Sequence, residues 1–192
     1  FLVDQNSDIN EEVKSKEPLP TGQFGTPQYE PKSYRDGPEG MIKWAGEHIF
    51  VPIYYPFDSD VVSWTKLGEL PDEPHPETGK SYRDIWLRQT DVLREALKMV
   101  NGRFVHSLIV FCWMRGEGKS LLACIVQIWK FFNWPRQQIV LGANSKDQVK
   151  FVHYDIIRDI IQNSPPLMRM IGNPKFIKEK EIRLVDKKGR VR

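Results

Sequence analysis

Ser107-Leu108-Ile109-Val110-Phe111-Cys112-Trp113-Met114-Arg115-Gly116-Glu117-Gly118-Lys119-Ser120 is the stretch on which the fold reading turns. Its first part, Ser107 to Met114, is apolar without alternation and rich in β-formers. That composition predicts a strand buried on both faces, as in a parallel sheet covered by helices. The stretch then passes through two glycines into Ser120 to Phe132, apolar nearly all round, which predicts a buried helix. Strand, glycine turn and helix in that order are the context a phosphate-binding loop requires. Gly116 and Gly118 let backbone N–H groups turn inward toward phosphate oxygens, and a helix starting near Lys119 adds its partial positive end. Lys119 would reach the β- and γ-phosphates, and the Ser120 hydroxyl would ligate Mg²⁺. The general pattern places a glycine five residues before Gly118, where this chain has Trp113. Arg115 has two readings, a second cation beside the γ-phosphate or a solvated loop residue. Glu117 lies within the loop with no assignable chemistry of its own.

Downstream, Asn133-Trp134-Pro135 stops the helix and Gln138 to Ala143 reads as a second strand. Ser145-Lys146-Asp147-Gln148 has the spacing of a capping box. The helix it opens runs to about Ile161, with Val149, Val152, His153, Ile156 and Ile160 on one stripe, and Asn163-Ser164-Pro165-Pro166 closes it. Glu181 to Arg192 alternates around a Lys-Gly turn and predicts a hairpin. Upstream, Tyr82 to Met99 has Ile85, Leu87, Val92, Leu93, Ala96, Leu97 and Val100 at helical spacing, with Arg88, Asp91, Arg94 and Glu95 outward. Asn101-Gly102 is read as the end of that helix. Strand and helix in alternation imply right-handed crossovers and an α/β sheet.

The whole chain of 192 residues is long enough for one compact domain with attached segments, and its 40% hydrophobic share is ordinary for a globular protein. Bulk disorder and collagen-like composition are excluded. No apolar run reaches 18 residues, and the first residues lack the regions of a signal peptide, so the expectation is a soluble, non-secreted protein with no membrane partner. Cys112 and Cys124 sit in apolar stretches and read as buried small hydrophobes, with neither a disulfide framework nor a cysteine zinc site. The net charge of +3 conceals an asymmetry: residues 1–80 hold 7 Lys+Arg against 15 Asp+Glu, and residues 81–192 hold 21 against 10. A polyanion would therefore meet the second part. Ten of the fourteen prolines lie in the first part.

The prolines and charges set the organisation. Residues 1–40 read as a polar, acidic, flexible tail with little to bury. Residues 41–80 read as an extension packing on the core: Met41 to Pro56 is an apolar and aromatic patch suited to a strap, and residues 58–80 return to turn chemistry around Pro71, Pro74, Pro76 and Gly79. Residues 81–192 hold the compact region.

Arg115-Gly116-Glu117-Gly118-Lys119-Ser120 also resembles the ATPase domain of the large terminase subunit of tailed bacteriophages, the motor that packages viral DNA. In that family the loop commonly lacks its first glycine and has Arg three places before Gly-Lys-Ser/Thr, which turns the Trp113 departure into support. Leu87-Arg88-Gln89-Thr90-Asp91 looks like the element that holds adenine in terminases and related helicases, with Gln89 at the base edge; its spacing is looser than the commonest form, and a solvated helix residue is the alternative. Leu141 to Gln148 is similar to the family's second strand and following helix. The resemblance covers about residues 81–192. It implies a three-layer, parallel-sheet P-loop NTPase core of the RecA-like (ASCE) type with an irregular N-terminal extension. It also implies ATP and Mg²⁺ as cofactors, hydrolysis driving double-stranded DNA into a procapsid, a homo-oligomeric ring, portal protein and small terminase subunit as partners, and a site of action in the host cytoplasm. Arg115 and Lys119 would be the catalytic cations, and Gln89, Arg115, Gly116, Glu117, Gly118, Lys119 and Ser120 the nucleotide contacts.

The family's acidic strand and nuclease domain are not found in these residues. After Lys119 the sole sequence of that form is Leu184-Val185-Asp186, followed by Lys187-Lys188-Gly189 instead of a second acid, so Asp186 reads as a turn residue. The expectation is the N-terminal portion of a longer motor, weak or inactive in hydrolysis by itself. Two alternatives stand beside it, a helicase-type P-loop ATPase and a non-hydrolysing nucleotide-binding docking module. His48, His75, His106 and His153 are scattered without metal-ligand spacing. The basic residues from Lys175 to Arg192 suit either DNA phosphates or solvent. Nothing in the sequence chooses among Arg158, Arg169 and Arg183 for a role on a neighbour's nucleotide.

Overall fold

The structure, a computed structural model, describes residues 34–57, 61–113, 118–135, 137–185 and 190. Helix α1 (Gly37–His48) leads into an antiparallel hairpin, β1 (Phe50–Tyr54) against β2 (Val62–Lys66), with Phe50 opposite Lys66 and Tyr54 opposite Val62. Helix α2 (Tyr82–Ala96) precedes a short ribbon, β3 (Met99–Val100) with β4 (Arg103–Phe104). Helix α3 (Lys119–Asn133) is followed by α4 (Lys146–Val149), a π-helical turn over Lys150–Tyr154, α5 (Asp155–Gln162) and α6 (Pro165–Ile171).

Helix α3 organises the core. None of its residues is exposed, and Leu122, Cys124, Ile125, Ile128, Trp129 and Phe132 are buried, as the all-round apolar sequence predicts. Against it pack Met41, Trp44 and Ala45 of α1, Ile157, Ile160 and Ile161 of α5, and Leu167 and Ile171 of α6, in one cluster that also takes Val51 and Ile53 from β1. The buried indole of Trp129 donates to the Tyr34 carbonyl at 2.8 Å, so its polar atom is not orphaned. The buried Ser164 hydroxyl accepts from the Phe50 N–H at 2.9 Å and ties the hairpin to the start of α6.

The α/β expectation is overturned. Among the described residues the only sheets are the two two-stranded antiparallel ribbons, and the body is helical; it is not a three-layer, parallel-sheet P-loop NTPase core. Both runs read as buried strands, Ser107–Met114 and Gln138–Ala143, are unpaired over their described residues. Leu108 is 79% exposed, Val110 75% and Val140 81%, so apolar content did not translate into burial. A strand needs a ladder partner as well as an apolar surface, and no described segment supplies one. Cys112 is exposed with its run, whereas Cys124 is buried, its thiol pushed up to about 12 by desolvation.

Other elements shift within the expected framework. Asn101 (φ 51°) and Gly102 (φ 75°) form the two-residue turn of the β3–β4 ribbon, and α2 stops earlier, at Ala96. The buried face of α2 is Trp86, Thr90, Leu93 and Ala96, continued by Leu97 at its C-cap, whereas Ile85 and Leu87 of the expected stripe are exposed. Arg88, Asp91, Arg94 and Glu95 point outward as expected. The helix from Ser145 is present, and the Ser145 hydroxyl accepts from the Gln148 N–H at 3.1 Å. Its π turn holds one residue more per turn, which rotates the buried face onto Tyr154, Ile157, Ile160 and Ile161. Ile177 bridges Ile182, closing a turn in which the Lys178 N–H donates to the Glu181 carbonyl at 2.9 Å; the expected turn at Lys187–Gly189 lies outside the described residues.

Candidate phosphate-binding site

Gly118 caps α3 in the left-handed conformation, with φ 74° and ψ 15°. A side chain there would be strained by that backbone, and a Cβ would also lie 2.9 Å from the Gln89 carboxamide nitrogen. The backbone conformation is what favours glycine here, since the Gln89 side chain is flexible and can move aside. As a glycine, the N-cap residue Gly118 supplies no side-chain acceptor to the first amides of α3. Lys119 and Ser120 are the first two helical residues, both half-buried.

The Lys119 ammonium donates to the Trp113 carbonyl at 2.7 Å. That bond closes the loop's two ends on each other, with Trp113 braced against Phe111 at a ring separation of 5.5 Å. Gln89 comes from α2, held in place by a reciprocal capping box. The Ser81 hydroxyl accepts from the Asp84 N–H at 3.0 Å, and the Asp84 carboxylate accepts from the Ser81 N–H at 3.2 Å. That hydrogen bonding holds the Asp84 carboxyl below its ordinary range.

Of the residues that sequence reasoning assigns to the site, the structure brings together Gln89, Gly118, Lys119 and, next along the helix, Ser120. Arg115, Gly116, Glu117 and Asp186 lie outside the described residues. The Trp113 carbonyl is the participant that sequence reasoning missed, because a backbone acceptor carries no residue signature. Comparison with family models, curated proteins and solved structures finds no match.

Other polar groups have structural duties. Arg158 pairs with Asp155 at 2.9 Å and Asp159 at 3.2 Å, and Arg183 with Glu181 at 2.8 Å. His48 stacks on Trp44 at 5.3 Å, and no group of His, Cys, Asp and Glu among the described residues could hold a metal ion. No helix of the described residues is long and apolar enough to cross a membrane. A cleft of about 1210 Å³ lies between the second half of α3, the 137–141 segment and α5, and Gly118, Lys119 and Ser120 are not among its described lining residues.

Proposed function

We propose that the chain binds a nucleoside triphosphate, ATP with Mg²⁺, by its phosphates at the start of α3. The observation that carries this reading is the left-handed Gly118 capping a 15-residue helix whose first residues are Lys119 and Ser120. A helix start without a side-chain cap, a glycine that leaves room for close approach, and an ammonium beside it form an anion-binding arrangement. These residues fit a phosphate chain, to which the Lys119 ammonium beside the helix start can make a charge-assisted bond. Mg²⁺, when bound, would neutralise phosphate charge, with the Ser120 hydroxyl as its protein ligand.

The assignment does not need the parallel sheet, because it rests on the loop and the helix that follows. The wider role rests on the resemblance of Arg115 to Ser120 to terminase loops. In that reading the chain is the ATP-binding part of a viral DNA-packaging motor in the host cytoplasm, working as a ring on double-stranded DNA with portal protein and small terminase subunit. Lys119 and Arg115 stabilise charge on the γ-phosphate as it is transferred.

Calorimetric titration with Mg·ATP, with phosphate release followed in the same samples, tests the reading. Binding to the wild-type protein should weaken by at least about tenfold in Lys119→Ala with the melting temperature unchanged, the loss of one charge-assisted bond. Equal affinities for the two proteins would overturn it.

A further inference from the structure

A small hairpin forms one wall of the cleft of about 1210 Å³. The Arg183 N–H donates to the Phe176 carbonyl at 3.0 Å, Ile177 bridges Ile182, and the Lys178 N–H donates to the Glu181 carbonyl at 2.9 Å. Residues 179–184 line the cleft together with the apolar side chains of Ile128, Phe131, Ile157 and Ile161. The tip of the hairpin, Lys178 to Lys180, is exposed. Among the described residues two polar contacts tie it to the body: the Tyr154 hydroxyl donates to the Lys178 carbonyl, and the Lys150 ammonium pairs with Glu179 at 3.4 Å. We infer that residues 176–183 are a flap, latched at its tip by Tyr154, whose release opens the cleft to an apolar or aromatic group. The inference is independent of the phosphate-binding reading.

The flap's internal bonds are separate from its ties to the body. The backbone pairs, and the Glu181 carboxylate's ion pairs with Lys178 at 2.7 Å and Arg183 at 2.8 Å, lie within the hairpin and survive its movement as a unit. Both ties to the body come from the ends of the π turn Lys150–Tyr154, a helix irregularity of the kind that recurs at functional sites. The Lys150–Glu179 pair is exposed, at 42% and 71%, and contributes little, so the Tyr154 hydroxyl is the latch. On one side of the flap Gly172, at φ 78°, ends α6 and turns the chain; on the other, buried Leu184 anchors it. Phe176, Ile177 and Ile182 are partly buried against the core, which keeps the closed state dominant.

The experiment titrates the full chain with anilinonaphthalene sulfonate, a fluorescent probe of apolar surface, for wild type, Tyr154→Phe and Lys150→Met, with thermal melting and mass-mapped tryptic cleavage of each. Tyr154→Phe keeps the buried ring and removes the latch. The open population should rise about 2- to 10-fold, the worth of one neutral hydrogen bond, and probe affinity by the same factor, because a ligand that needs the open state binds in proportion to its population. Tryptic cleavage after Lys178, Lys180 and Arg183 should rise by that factor while cleavage elsewhere stays constant, and the melting temperature should fall by no more than about 4 °C. Lys150→Met should have the smaller effect on every readout. Unchanged probe affinity in Tyr154→Phe would overturn the inference, as would a rise in affinity without added flap cleavage. Cleavage raised equally across the chain would overturn it in favour of general loosening, and a larger effect of Lys150→Met would overturn the assignment of the latch to Tyr154.

Discussion

At the scale of single residues, the constraints are backbone contacts and buried polar atoms. Gly68 lies against α1 so closely that a Cβ there would stand 2.6 Å from the Gly46 carbonyl oxygen. Backbone cannot step aside as a flexible side chain can, so Gly68→Ala should lower stability by about 1–3 kcal/mol, measured by urea unfolding. His48 sets a pH dependence. Its pKa is lowered from 6.5, chiefly by burial, against the bond between its Nδ1 and the Trp44 carbonyl at 2.9 Å; Glu47, Lys66 and Arg169 are the charges that act on it. The unfolded chain therefore takes up this proton more readily than the folded one. Stability from His48 is complete above pH 6.5 and declines as pH falls below it toward the lowered folded value. The melting temperature should drop between pH 7.5 and pH 5.5 by more in wild type than in His48→Gln. At this scale the sequence was informative about local structure: the helix opens at Lys119 and Ser120, directly after Gly118, as the glycine turn predicts. It was silent on the Trp113 carbonyl, since every residue has one, and on Gly68, whose need arises only when two distant segments meet.

At the scale of elements, helices with strong internal signals were legible and their faces less so. Helix α3 is apolar nearly all round, so no choice of face could be wrong, and its bounds lie within a residue of the expected ones. In α2 the expected Leu93, Ala96 and Leu97 are buried, and at its first turns Trp86 is buried in place of Ile85 and Leu87, the larger aromatic ring removing more apolar surface from water. The π turn at Lys150–Tyr154 shifted the buried face of the next helix by one residue, a change no fixed period can express. Asn101-Gly102 carried a hairpin signal that was read as a helix stop; the positive φ of both residues is what a two-residue turn requires. Helix α1 was hidden because Gly37, Pro38, Gly40 and Gly46 dilute its propensity, and its stability comes from burying Met41 and Trp44.

At the scale of the whole molecule, the reading failed where it depended on partners. Two apolar runs were assigned to a parallel sheet from composition, yet sheet formation is a property of several segments at once, and over their described residues both runs are unpaired and largely exposed. The helical body instead closes around α3, joining α1 and the β1–β2 hairpin to α5 and α6 in one apolar cluster. That cluster holds α3 firmly, so the cap at Gly118 stands on a rigid support and Gln89 meets it from a second helix. The proposed phosphate site is thus local, a helix start on a helical core. Amide chemical-shift mapping of the ¹⁵N-labelled chain during titration with Mg·ATP tests it most directly. The largest shifts are expected at Gly118, Lys119 and Ser120 and at the Gln89 side-chain amide. Shifts confined to the cleft lined by Phe131, Leu141 and Ile157, or no shifts at all, would contradict it.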